Sequence, residues 1–210
     1  EGRRLGLVSH DPTLDIVLPP RSSLRARPLT DDEVMLCRSY SVRTLTETRQ
    51  AAAWALAEAT TRSAELARIC VSDVDLAASR VWIGGSTKTE ARWASLSDWG
   101  KAQIERRLRA LPWGESSTPL ICARASEGLS ATSSASIAIA LTLRRAGIAD
   151  EPDVRPGSVA AWAGARELAA GKSIDRVARL LGIRSLDRAA EFIGFDWRGE
   201  DPKPPLGPPS

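Results

Sequence analysis

The chain has 210 residues, 43% of them hydrophobic and 26% charged, which is enough to bury one full core and is ordinary for a globular domain. A net charge of +3 and a pI near 9.0 permit nucleic-acid binding without establishing it. No apolar run approaches the roughly 20 residues of a membrane-spanning helix. The three cysteines, Cys37, Cys70 and Cys122, are too scattered for a disulfide framework or zinc site and fit a reducing cytoplasm.

Residues 1–28 read as an extended arm, because Pro12, Pro19, Pro20 and Pro28 break any helix and only 14–18 suits a short strand. No secretory signal follows Glu1, and an initial Glu leads us to expect that a longer natural N-terminus was removed. The domain itself is expected over 29–198. Thr30 with Glu33 three residues on forms a capping box that opens a helix through Leu36. The alanine-rich stretch 48–59 is apolar on several sides and predicts a buried helix, followed by another over 63–70.

The period then changes. Segments 71–76, 80–84 and 92–96 are short, β-branched or aromatic runs separated by turn residues, which predicts a small antiparallel sheet. Asp98 is read as the cap of a helix reaching Leu111, with Ile104, Leu108 and Leu111 on one face. A further helix is expected over 134–146. Three more start at Ser158, Ser173 and Ser185 and end at Gly171, Gly182 and Gly194, each with serine at its start and glycine at its end. The last residues, 199–210, hold too much proline to pack and read as a disordered tail. The fold class is therefore mainly α with a small antiparallel β-sheet, an α+β domain. The seven tryptophans are assigned to core and rim packing rather than to base stacking, since Trp54 and Trp162 fall on apolar helical faces and Trp82 alternates with Val81 and Ile83.

Arg62, three residues before Glu65-Leu66, and then Asp73 leading into the sheet, resemble the first conserved box of the tyrosine recombinases, the phage-integrase family. The turn Thr87-Lys88-Thr89, with Arg92 and Leu96 after it, is similar to the hairpin lysine of that family. Leu181-Gly182 and Ser185-Leu186 resemble its second box. The likeness spans about 28–197. It implies a catalytic-domain fold in which a tyrosine attacks a DNA phosphate. Arginines and a histidine would neutralise the non-bridging oxygens, and a lysine would protonate the leaving oxygen.

Most of that equipment is missing. The histidine and arginine positions opening the second box fall on Gly157 and Ala160, the histidine after Leu181-Gly182 falls on Ile183, and the nucleophile position falls on Phe192. Arg62 and Lys88 survive, although either also has a structural reading, an arginine paired to a nearby carboxylate and a solvated turn lysine. Only a slipped alignment would let Arg155 fill the second arginine position, since it lies before Pro156 and outside the helix register, and Tyr40, the one tyrosine, lies far from the usual nucleophile. No catalytic set is intact, and no cofactor or metal is implied.

The last third is locally basic, with eight Arg or Lys from Arg155 to Arg198 against five acids. The expected DNA-binding residues are Arg62, Lys88, Arg92, Arg155, Arg166, Lys172, Arg184 and Arg188, set against a bland reading as a solvated mixed-charge face. The resemblance implies double-stranded DNA as partner, with a homo-oligomer or an active recombinase as a further one. The expected role is regulation, replication or partition, or accessory work in recombination, in the cytoplasm and on the bacterial nucleoid. The alternatives are an active site-specific recombinase with a relocated site and a protein-interaction module on the same fold.

Overall fold

The computed structural model describes residues 25–44, 46–111, 116–122 and 129–196, with only the helical backbone for 129–131. The 14–18 strand, most of the arm, Trp113, Trp197, Arg198 and the proline-rich tail lie outside the described residues.

Helix α1 (Asp31–Ser41) opens on the capping box: the Thr30 hydroxyl accepts from the Glu33 N–H while the Glu33 carboxylate accepts from the Thr30 N–H. It runs five residues past the expected end at Leu36, since nothing before Val42 breaks it. Arg27 clamps this start: its guanidinium is bidentate to Glu33 and also bonds Glu151, so the end of the arm is tied to the loop before Ser158. The arginine's hydrogen bonds hold the Glu33 carboxyl below its ordinary range, against the opposing effect of burial.

Helix α2 (Arg49–Glu58) is buried on nearly every side and packs against α1, α4 (Asp98–Ala110), α5 (Leu129–Arg145) and α6 (Ser158–Ala169). Trp54 and Leu56 on it are fully enclosed, with Val34, Leu66, Ile83, Ile104 and Ile139 from the surrounding elements. This is the main core; truncating any of these large aliphatics to alanine would cost about 2–5 kcal/mol. A smaller core of Val177, Leu181 and Ile193 joins α7 (Ile174–Leu180) to α8 (Leu186–Phe192).

Helix α3 (Ser63–Leu66) is shorter than the expected 63–70. The Ile69 carbonyl is captured by the Leu120 N–H, and the Cys70 N–H by the Asp73 carboxylate, which starts a 3₁₀ turn over Val71–Asp73. That turn takes the first half of the expected 71–76 strand, and only β1 (Val74–Asp75) remains. With β2 (Arg80–Ile83) and β3 (Arg92–Ser95) it forms an antiparallel sheet in the order β1-β2-β3, registered by Val74 opposite Val81 and Trp82 opposite Trp93.

The inner sheet face carries Val81, Ile83 and Ala94 into the core, and the outer face carries the Trp82–Trp93 pair with Arg80 over Trp93. Trp54 and Trp162 pack inside as expected, while Trp93 is half exposed. Two caps differ from expectation. Ser97, not Asp98, caps α4 by accepting from the Gly100 N–H. Ser158 is the first residue of α6 rather than its cap, and its hydroxyl accepts from the Arg155 N–H. Helix α5 starts at Leu129, earlier than the expected 134.

Candidate functional site

The residues that the sequence singles out as the site come from α3, the β2–β3 hairpin and the α7–α8 turn, and three contacts bring these together. Helix α2 ends in a Schellman motif, with the Thr61 N–H bonded to the Leu56 carbonyl and the Thr60 N–H to the Ala57 carbonyl. Thr60 takes the left-handed position at φ 70°, where glycine is usual. A β-branched residue there is strained by about 1–3 kcal/mol. Tertiary bonds hold it: the Thr60 hydroxyl donates to the Leu180 carbonyl, and the Thr60 carbonyl accepts from Arg92. This reversal puts Arg62 at the start of α3, where the Glu65 carboxylate accepts the Arg62 backbone N–H.

Glu65 and Arg92 form the second contact, a pair with side chains only 1% and 7% exposed and 2.8 Å apart. Every N–H of the Arg92 guanidinium is used: Nε on the Leu180 carbonyl, Nη1 on Glu65 and the Glu90 carbonyl, Nη2 on Glu65 and the Thr60 carbonyl. Glu65 also accepts from the Thr89 hydroxyl at 2.5 Å, which in turn bonds the Ser86 hydroxyl at 2.7 Å. Burial pushes the Glu65 carboxyl up, but the hydrogen bonds from Arg92 and Thr89 and the arginine's charge outweigh it and leave the group below its ordinary range.

Gly182 provides the third contact. Its carbonyl accepts from the Glu90 N–H at 2.9 Å, and a Cβ there would lie 2.5 Å from Arg92 Nη1 and 2.9 Å from the Glu90 oxygen. Its φ of +66° also belongs to glycine. Within the hairpin, Gly85 plays a similar part: at φ +72°, a Cβ would meet the Thr89 carbonyl oxygen at 2.7 Å. Arg68 of the preceding segment donates to the Gly85 carbonyl.

The result is a cavity of about 490 Å³ between these elements. Arg62, Lys88, Arg188 and Arg25 supply its cations, Glu191 its one carboxylate, and Ala26, Ala64, Ile183 and Phe192 its apolar wall. Positions 62, 88, 183 and 192, up to 130 residues apart in sequence, thus line one space. Gly157 is not among the lining residues but packs near Phe192, a Cβ there lying 3.8 Å from Phe192 Cε2, and Ala160 is buried within α6.

Arg62 has no carboxylate at ion-pair distance among the described residues, so the structural reading that paired it with an acid does not hold. Its guanidinium carbon lies 3.9 Å from the centroid of the Phe192 ring. Such a cation–π contact is worth about 0.5–2 kcal/mol. Burial pulls its pKa down, with the Arg92 charge acting the same way and Glu65 opposing both. Its Nε is buried with no acceptor among the described residues. A donor left so costs about 1–3 kcal/mol.

Lys88 is exposed on the hairpin turn, its N–H bonded to the Ser86 hydroxyl. Arg188 is exposed on α8 and faces the cavity. Tyr40 is on α1, 46% exposed, and does not line the cavity. The hydroxyls that do are Ser86 and Thr89, a pair that sequence reasoning passed over. They end on Glu65, whose lowered proton affinity makes it a poor general base.

Of the other expected DNA-binding residues, Arg92 needs correction: it is a buried strut with no N–H left to offer a phosphate. Arg155 is exposed and bonds the Val154 carbonyl, and Arg184 is exposed and paired with Glu90 at 2.9 Å. Arg166 and Lys172 lie elsewhere, on a second cleft of about 290 Å³ between α2, β3 and α6. There Arg166 stacks on Trp162, and Lys172 pairs with Glu167.

Comparison with known proteins returns no matching family model and no matching curated protein. Among solved structures the chain is similar to XerA recombinase, at 22% identity and a TM-score of 0.67 over 88% of this chain and 66% of that one. It is similar to the XerH site-specific recombinase bound to palindromic difH substrate in a post-cleavage complex, at 16% identity and a TM-score of 0.65 over 88% and 54%. A lambda integrase dimer bound to a COC′ core site gives 18% identity and a TM-score of 0.59 over 95% and 56%. The chain spans between about half and two thirds of the length of these proteins. Helix order, three-stranded sheet and structural neighbours agree: the chain has the catalytic-domain fold of the tyrosine recombinases.

Proposed function

We propose that this domain binds double-stranded DNA through the face around the Arg62 cavity and does not cleave it. The observation that carries the reading is the Phe192 ring lying on the Arg62 guanidinium at 3.9 Å: the wall position that would need a phenolic hydroxyl carries a hydrocarbon edge. Arg62, Lys88 and Arg188 around the cavity, with Arg155 and Arg184 also exposed, supply positive charge that would neutralise phosphates without any covalent step. Relatives in fold bound to DNA, XerH on its difH substrate and lambda integrase on its core site, support a duplex as the partner. A regulatory, replication or partition, or recombination-accessory role on the nucleoid would need no more than this. A second copy or an active recombinase would be the protein partner.

Two measurements test the proposal. Mobility shifts on duplex DNA across a salt series should show binding that weakens as salt rises, with a log–log slope of about −0.9 per neutralised phosphate. Lys88→Ala and Arg188→Ala should each reduce that slope by about 1. A suicide DNA substrate should give no adduct that survives denaturation. An adduct would overturn the non-cleaving reading, and its loss in Ser86→Ala would locate the nucleophile on the hairpin. Absence of any duplex binding at low salt would favour the protein-interaction reading instead.

A further inference from the structure

A bare phosphate needs only cations and N–H groups, yet the cavity presents more than that. Its cations stand on one set of elements, with Arg62 at the start of α3, Lys88 on the hairpin and Arg188 on α8. Between them lies a wall formed by the apolar side chains of Ala64, Ile183 and Phe192. A volume of about 490 Å³ is several times what one oxyanion fills and falls in the range of about 300–1,000 Å³ usual for small-molecule sites. The wall is apolar because Ile183 and Phe192 carry no polar atom beyond the backbone. Independently, the Arg62 guanidinium lines the cavity with no carboxylate at ion-pair distance among the described residues, so its charge is left to meet an anion.

We infer that the cavity is a binding site for a single nucleoside monophosphate unit, its phosphate held by Arg62, Lys88 and Arg188 and its flat base laid against Ala64, Ile183 and Phe192. This goes beyond the reading of the face as a duplex-binding surface, because a paired base inside a helix cannot reach an apolar wall. The nucleotide comes either free from solution or as one unpaired unit of a DNA strand. Bonds between the guanidinium and phosphate oxygens are charge-assisted, and the base adds area that the phosphate alone does not bury. No bond is made or broken.

The test is calorimetric titration of the full chain with deoxyadenosine 5′-monophosphate, with inorganic phosphate and deoxyadenosine as separate probes. A parallel comparison sets a fully paired duplex against the same duplex with one bulged nucleotide. The nucleotide should bind at least about tenfold tighter than either half alone, a difference of about 1.4 kcal/mol. Lys88→Ala and Arg188→Ala, both at exposed positions, should weaken it by about tenfold or more with the thermal midpoint unchanged. Ala64→Asp, also exposed, should remove binding without disturbing the core. If only the bulged duplex binds tighter than the paired one, the inference stands with DNA as the source. Equal affinity for nucleotide and inorganic phosphate, together with equal affinity for bulged and paired duplexes, overturns it, as does a lack of binding to both nucleotide and bulge. Paired-duplex binding that persists in that case leaves the DNA-binding proposal intact, and its loss with nucleotide binding retained overturns that proposal alone.

Discussion

Replacing Arg92 with alanine separates a buried strut from a surface phosphate contact. Arg92 is 8% exposed and its side chain carries five hydrogen bonds, to Glu65 and to the carbonyls of Thr60, Glu90 and Leu180. Its removal leaves the Glu65 carboxylate, 1% exposed, without its counter-charge. Breaking a buried pair by deleting one partner costs about 3–5 kcal/mol. Each kcal/mol moves the midpoint of a domain of this size by about 2–4 °C, so thermal unfolding followed by circular dichroism should drop by about 6–20 °C. Arg92→Lys should recover only part of the loss, because an ammonium brings three donors to a site that uses five. A surface arginine would change stability by no more than about 0.5 kcal/mol. A midpoint for Arg92→Ala within about 2 °C of the parent chain would therefore refute the strut and return Arg92 to the DNA-facing set.

Three further outcomes are expected. Gly182→Ala should destabilise the domain by about 2 kcal/mol or more in urea unfolding, since the added Cβ meets Arg92 and Glu90 at a positive φ; an unchanged midpoint would contradict this. Acid should unfold the chain by releasing the Glu65 and Glu33 pairs. Both carboxyls are held below their unfolded value, so the unfolded chain binds their protons more readily; the stabilisation is full above about pH 4.3 and is lost as pH falls through their lower folded values. Glu65→Gln should flatten that acid limb in a stability–pH series, and an unaltered limb would count against it. Cys37, buried and with its thiol pushed up to about 12 by burial and by the charges of Glu33 and Glu58, should resist alkylation at pH 8 in the native chain and react once unfolded; native labelling there would show that the α1–α2 contact opens readily.

Much of the architecture was legible in the residue order because it rests on local rules. The Thr30–Glu33 box, the buried 48–59 helix, the 80–84 and 92–96 strands and the glycines closing α6, α7 and α8 each follow from spacing, branching or backbone freedom within a few residues. Local rules fell short where a distant partner intervened. The 63–70 helix stops at Leu66 because a strand-like bridge to Pro119 and a bond to Leu120 compete for its backbone. The hydroxyl chain from Ser86 through Thr89 to Glu65 had no sequence signal, since serine and threonine in a turn are ordinary.

By itself, residue order determined which groups the chain possesses: an aromatic ring without a hydroxyl at 192, an aliphatic side chain at 183, and arginine and lysine at 62 and 88. Only the tertiary structure decided what each charge does. Arg62 and Arg92 look alike on paper, two arginines each following a small residue near a turn. Folding gives Arg92 five acceptors and seals it, and leaves Arg62 stacked on Phe192 with a donor unspent. A guanidinium's role is set by the acceptors and the water around it, and those are supplied by segments far away in the chain.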